Sequence, residues 1–437
     1  MDTGTLKRII TEQTRLFSDK KDLVDRLTYI SPGLIAAREI LVITGVRRCG
    51  KSSFMKILKD KHFSNEPFFY INFEDERLVE FTHKDFNKIL EAVYELTPDK
   101  FENKKIYLLI DEIQNIKYFE KWLNRMYEDP KFKIIVSGSN ATLLSSEIAT
   151  ALTGRNFSII LYPFSFKEFL LFKGKSIDLK DAITTKESSG YKRLLIDYLN
   201  GSGFPEVIKT QEPELLAQYY TDIIYKDIVV RHKIKNVQEF REFTKYLFSN
   251  TCSFLSYNQI SKTFEGISSP NTVKNYLEWL KNSFLFFTLA RFSASFKKQL
   301  KHLPKVYSID HGLNKKIGFS ISDDHSKLYE NTVFLELLRR RKDFYYFITP
   351  SGKEIDFVVK EKGRKVCLVQ VCYDVSAQKT VEREETSLIE GMKHFNTNVG
   401  YIINSEVDKE KAAGNNLKIV YMPLWKWLMQ EDKALTS

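Results

Sequence analysis

Cysteine is scarce: the 437 residues hold four, Cys49, Cys252, Cys367 and Cys372. No pair has the spacing of a zinc ribbon or a redox motif, so reduced, unlinked thiols are expected. Long apolar runs are missing too. The strongest, residues 284–290, is far too short to span a bilayer. The amino-terminal stretch MDTGTLKRIITEQ has no apolar core of the secretory kind. A cytoplasmic location without a membrane partner is the resulting expectation. No internal repeat and no low-complexity segment stands out.

What is there describes a folded chain, with 43% hydrophobic and 28% charged residues. This length predicts two or three domains rather than one core. The formal charge of +11 favours an anionic partner. The pattern divides into regions. Up to about residue 40 it reads as an amphipathic helix. From about 39 to 164 short apolar strands alternate with helices, which predicts a parallel α/β sheet. Its strands are expected at 40–44, 68–72, 106–110, 133–137 and 157–161. Each ends in polar or glycine residues, where ligands sit in open α/β sheets. Residues 166–248 read as helical, broken at Gly201-Ser202-Gly203-Phe204-Pro205. Strands return near 345–348, 355–360 and 365–371.

The first strand runs into Gly45-Val46-Arg47-Arg48-Cys49-Gly50-Lys51-Ser52-Ser53, which matches G-x-x-x-x-G-K-[ST] with a helical pattern behind it. Gly45 and Gly50 permit a backbone that aims successive N–H groups inward as an anion nest. The helix starting near Lys51 adds its positive end. Lys51 is expected to reach the β- and γ-phosphates of ATP, and Ser52 to ligate Mg²⁺. A second apolar strand ends in Asp111-Glu112. Two acids there need a cation to offset their desolvation. Asp111 suits the Mg²⁺ shell, and Glu112 the base that orients the attacking water. Ser139 or Asn140, after the next strand, is placed for the γ-phosphate or that water, with an ordinary turn as the competing reading. Arg155 precedes the last strand. It either neutralises transition-state charge, on its own nucleotide or a neighbour's, or is a solvated loop arginine.

These motifs, with Asp111-Glu112-Ile113-Gln114, Ser137-Gly138-Ser139, Gly154-Arg155, Pro163-Phe164-Ser165-Phe166-Lys167-Glu168-Phe169 and Gly203-Phe204-Pro205-Glu206, resemble a large prokaryotic family of AAA+-type ATPases. The resemblance spans nearly the whole chain. It implies a magnesium-dependent ATPase with Lys51, Ser52, Asp111 and Glu112 in the roles above. It also implies Arg155 as an arginine finger or phosphate sensor, the former requiring a homo-oligomer if it acts on a neighbour.

Residues 231–305 hold thirteen Lys/Arg against four Asp/Glu, so the basic excess is local. Ser256 and Ser269-Pro270 mark two helix starts. The second helix is expected to bury Val273, Tyr276, Leu277, Leu280 and Phe284 and to expose Asn271, Lys274, Asn275, Glu278 and Lys281. A preceding helix near 240–248, and strands at 284–292 and 306–310 around a basic tip at 297–302, complete a set resembling a winged helix-turn-helix. DNA contact through the exposed face is one reading. A protein contact or an ATPase lid is the other.

Further on, Glu330, Glu354 and Asp356, followed by Gln370 and Cys372, look like a restriction-endonuclease-like core that has lost an acid and a lysine. Loss of hydrolysis is expected, with plain structural acids as the alternative. The expected architecture is thus α/β. It comprises an AAA+-type P-loop core with a parallel sheet (1–165), a helical lid (166–235), a winged-helix-like module (236–310) and a C-terminal nuclease-like α/β domain (326–437). The expected function is ATP hydrolysis driving a conformational switch in a DNA-binding protein. A signalling or scaffold ATPase with a protein partner, or an ATP-driven nuclease, are the rivals.

Overall fold

The computed structural model describes residues 1–437 except 22, 29, 99–102, 142–151, 153, 183, 268, 294, 320–323, 362–364, 415 and 431–437, and except the side chains of 181 and 182. Two compact units result: Met1–Pro163 with Asn282–Phe284, and Phe164–Lys281 with Leu285–Ser437.

The first unit is built on five strands, β1 Ile40–Thr44, β2 Phe68–Asn72, β3 Ile106–Asp111, β4 Phe132–Gly138 and β5 Asn156–Ile160, in the order β2-β3-β4-β1-β5. Every pairing is parallel. All five expected strands are present within one residue of their expected ends. β1, β3 and β4 are buried along their whole length, as strands covered on both faces must be. The helix Thr3–Ser18 turns Leu6, Ile9, Ile10 and Phe17 inward at helical spacing, and Asp2 caps it through the Thr5 N–H. The helices Phe86–Leu96 and Phe119–Tyr127 contribute Phe86, Ile89, Trp122 and Leu123 to the same core. Each such side chain contributes about 1.5–3 kcal/mol when fully buried.

In the second unit a helix Val237–Ser249, a short strand β6 Ser253–Phe254, helices Tyr257–Thr263 and Pro270–Asn282, and strands β7 Phe286–Leu289 and β8 Lys305–Ser308 follow in order. Ser256 accepts from the Gln259 N–H, and Ser269 from that of Thr272, so both expected caps form. The helix Pro270–Asn282 buries Val273, Tyr276, Leu277 and Leu280. Asn271, Lys274 and Asn275 are exposed, whereas Glu278 and Lys281 are half-buried and paired at 2.8 Å. The expected strand 284–292 begins only at Phe286, because Phe284 takes a left-handed backbone (φ 61°) that an extended ladder does not accept. The basic tip is a short helix, Phe296–Gln299, rather than a bare turn.

The same unit carries a six-stranded sheet of β9 Asp343–Ile348, β10 Glu354–Lys360, β11 Val366–Val371, β12 Val399–Asn404, β13 Lys409–Ala412 and β14 Lys418–Pro423, in the order β13-β14-β12-β11-β10-β9. The helices His325–Arg339 and Gln378–Phe395 accompany it. The β7 chain runs on into this sheet: the Phe292 N–H donates to Tyr346 O at 2.7 Å, and the Tyr346 N–H to Ala290 O at 3.1 Å. That continuity ties the β7 segment to the C-terminal sheet within the second unit. Among the described residues no helix is long and apolar enough to cross a membrane.

Candidate nucleotide site

Parallel strands bring every loop that follows a strand to one edge of the sheet. β1 opens there into the glycine loop and the helix Lys51–His62. Gly45 lies at φ 150°, and a Cβ on it would meet Leu161 O at 2.1 Å, so only glycine fits this approach. Gly50 is left-handed (φ 98°) and ends the loop at the helix start, and Arg48 is left-handed as well (φ 69°). Val46 and Cys49 are buried, and the Cys49 N–H closes a turn on Val46 O at 3.2 Å. Burial pushes the Cys49 thiol up, so it stays neutral. The Arg47 guanidinium pairs with Glu74. Lys51 is only 5% exposed. Its ammonium lies 3.2 Å from Gly45 O, 3.4 Å from Val46 O and 3.3 Å from Glu112 Oε1. Ser52 and Ser53, half-buried, follow on the first helical turn.

The acids converge on this loop from β3. The Ser52 hydroxyl donates to Asp111 Oδ2, the Ser137 hydroxyl donates to Asp111 Oδ1, and Tyr70 Oη donates to Oδ2 at 2.6 Å. Burial and the Asp111 charge push the Tyr70 phenol up, which keeps it a donor. Glu112 sits in left-handed backbone (φ 53°, ψ 43°), a conformation costing of order 1 kcal/mol that is held here by its surroundings. Its N–H donates to Ser137 Oγ at 3.3 Å. Burial raises the Glu112 pKa, but the Lys51 and Arg47 charges outweigh it and hold the carboxyl below its usual range. The Gln114 amide donates to Glu112 Oε2 and, at 3.3 Å, to Ser139 Oγ. Gln114 Oε1 is buried without a hydrogen-bond partner. Ser139 and Asn140 are buried just past β4, beside β1.

Arg155 is the expected residue that stays away from this cluster. It precedes β5, and its carbonyl accepts the N–H of Ile40 at 2.9 Å, at the amino edge of the sheet. The glycine loop lies at the carboxyl edge, about 16 Å away over five residues of strand. Arg155 bonds Glu128 at 3.1 Å and Asn124 at 3.3 Å and covers the Tyr127 ring. Arg38 takes the other Glu128 oxygen at 3.1 Å. Thr153 lies outside the described residues.

Sequence reasoning missed Tyr70, the role of Gln114, and Arg26. The last donates to Cys49 O at 3.0 Å and to Tyr162 O at 2.6 Å, clasping the glycine loop from the segment before β1. No local spacing announces these residues, because each reaches the site through space from another element.

Residues 37–170 match the family described as an AAA domain. Over the whole length, an uncharacterised protein of Methanocaldococcus jannaschii is 32% identical across 96% of this chain and 95% of its own. An uncharacterised protein of Haemophilus influenzae is 30% identical across 94% of this chain and 100% of its own. The chain belongs to the same family as these two proteins, with an AAA domain at residues 37–170. Beyond the AAA core, residues 192–322 and 325–426 match two domains of unknown function, DUF8612 and DUF4143. Among solved structures, the Aeropyrum pernix ORC1 protein in complex with DNA is 11% identical, covering 78% of this chain and 93% of its own, with a TM-score of 0.31.

Proposed function

We propose that this AAA-family protein binds and hydrolyses ATP with magnesium and couples hydrolysis to a conformational switch in a DNA-contacting second unit. One observation carries the reading: Lys51, Ser52, Asp111 and Glu112 meet at the mouth of a glycine loop whose N–H groups open a helix. Ser52 and Asp111 offer a hydroxyl and a carboxylate, hard oxygen donors that suit Mg²⁺, and these are the residues that would hold it. Bound there, the ion would neutralise charge on the β- and γ-phosphates.

The chain's own residues do the rest. The Lys51 ammonium leaves two carbonyls and one carboxylate for the phosphates. Glu112 orients a water and accepts its proton as the new P–O bond forms and the β–γ bridge breaks. Gln114 holds Glu112 by one oxygen, and its own unpaired Oε1 is suited to accept from the same water. Arg155 stands at the far edge from its own loop, so its action, on this reading, is on a neighbouring copy's nucleotide in a homo-oligomer.

DNA contact is supported by the helix, strand, helix, helix, strand, strand order of a winged helix, by exposed Asn271, Lys274 and Asn275, and by Lys297 and Lys298 at the tip. Exposed Phe296 and Leu300 beside those lysines favour the second reading, a protein partner. The nuclease-like reading of the C-terminal domain rests on Glu330, Glu354 and Asp356. Gln370, where such enzymes need an acid, is engaged by the Asp356 N–H and by Glu384. We read the domain as inactive in cleavage.

The test is ATP binding and phosphate release by the full chain, with and without duplex DNA across a salt series. Glu112→Gln is expected to retain ATP and lose turnover. DNA is expected to bind with a steep salt slope and to stimulate hydrolysis. No affinity for millimolar Mg-ATP would end the ATPase reading. Salt-independent or absent DNA binding would leave the protein-partner reading in its place.

A further inference from the structure

A second cluster of acids lies in the other unit, and the nucleotide chemistry does not use it. Glu330 comes from the helix His325–Arg339, and Glu354 and Asp356 from one face of β10. The β9–β10 register shifts between Ile355 and Val358, so an irregularity in the ladder falls at Asp356. Into this cluster reaches Lys305, from β8 of the helix-wing region. Its ammonium lies 2.6 Å from Glu330 Oε1, 2.6 Å from Glu354 Oε1 and 3.9 Å from Asp356 Oδ1. Its side chain is 4% exposed. Tyr307, two residues on and so on the same face of β8, donates its hydroxyl to Glu330 Oε1 at 2.7 Å. Asp356 Oδ2 accepts the Val371 N–H at 2.8 Å.

We infer that these carboxylates form a cation site whose resident cation is the chain's own Lys305 ammonium, which closes the site to divalent metal and fastens the helix-wing region to the C-terminal sheet. Three acids drawn from a helix and a strand converge as the ligands of a hard cation do. The point they converge on is held by a nitrogen covalently tied to β8. A divalent ion of Mg²⁺ size needs carboxylate oxygens about 2.0–2.1 Å from its centre, on lone pairs that the ammonium and the Tyr307 hydroxyl now take. Ion and ammonium therefore exclude each other. Burial and the neighbouring Glu330 raise the Asp356 pKa, while Lys305 is raised well above the usual range by its three acids acting against burial. Among the described residues no group of three or more acidic, histidine or cysteine side chains is placed to hold a metal ion, and with Lys305 seated among them these three acids are no exception.

The experiment uses Mn²⁺ as probe, titrated into nucleotide-free full-length protein and read by electron paramagnetic resonance. Wild type is expected to gain no Mn²⁺ through this cluster, so D356N leaves its titration unchanged. K305M is expected to gain one Mn²⁺ per chain, bound at least tenfold more tightly than by wild type, and K305M/D356N to lose it again. K305R, which keeps the charge, should behave as wild type. A wild-type Mn²⁺ signal abolished by D356N overturns the inference, as does a folded K305M that gains none. Should K305M not fold, K305M/E330Q/E354Q/D356N removes the stranded charges together with their cation. Recovery of folding by that variant supports the assignment, and failure to recover overturns it.

Discussion

Each unit holds a buried lysine among carboxylates at the end of a strand, and the two clusters differ in what the lysine is free to do. Lys51 springs from a glycine loop, and its ammonium lies 3.2 and 3.4 Å from two backbone carbonyls and 3.3 Å from the Glu112 carboxylate. Neutral carbonyls at that range hold an ammonium weakly, and a triphosphate displaces them readily. Lys305 springs from a strand, with two 2.6 Å contacts to carboxylates, one of them shared with a phenol. Nothing in that set is waiting to be displaced. Loose contacts around a charge point to a ligand yet to come, whereas short and saturated ones point to structure.

The same substitution at both lysines makes the contrast measurable. Lys51→Met is expected to weaken ATP binding about a thousandfold, ~4 kcal/mol, while lowering stability toward urea by only about 1 kcal/mol. Lys305→Met is expected to do the reverse. It costs about 3–5 kcal/mol of stability, because buried carboxylates lose their counter-charge, and leaves ATP affinity unchanged. Equilibrium ATP binding and urea midpoints on both variants check the pair. If Lys51→Met proves the more destabilising, or Lys305→Met disturbs ATP binding, the contrast between a waiting and a settled lysine fails.

Next in size is Gln114→Leu. The substitution removes the amide that steadies Glu112 and leaves the phosphate contacts alone. Turnover is expected to fall about a hundredfold, ~2.7 kcal/mol, with the ATP dissociation constant within twofold of wild type. A matching rise in the dissociation constant would show instead that Gln114 shapes the loop rather than the base.

The two clusters were not equally legible. Gly45, Gly50, Lys51 and Ser52 sit within eight residues because a phosphate nest is made of one continuous stretch of backbone, and Asp111-Glu112 announce themselves by ending an apolar strand. Strand positions followed from hydrophobic runs, and β1 and β2 fell at their expected residues. The Lys305 cluster spans partners 25 and 49 residues apart in sequence, which no spacing rule links. Glu330, Glu354 and Asp356 were visible as acids, yet the cation among them lies on a strand read as part of a wing. Tyr70 was hidden for the same reason: it reaches Asp111 from the neighbouring strand, and register, not spacing, sets that contact.

Arg155 offers the smallest effect and the finest distinction. A residue just before a parallel strand must lie at the amino edge of the sheet, opposite the loop that follows β1, so the order of elements alone separates it from its own nucleotide. Its bonds to Glu128 and Asn124 are half-exposed, and such pairs contribute about 0–1 kcal/mol. Arg155→Ala is therefore expected to leave ATP affinity within twofold and stability within about 1 kcal/mol of wild type. Its turnover should be normal in dilute protein and lowered only at concentrations where wild-type turnover per chain rises. A defect independent of protein concentration would mean that the amino edge of the sheet reaches its own active site, and the separation of the two edges would no longer hold.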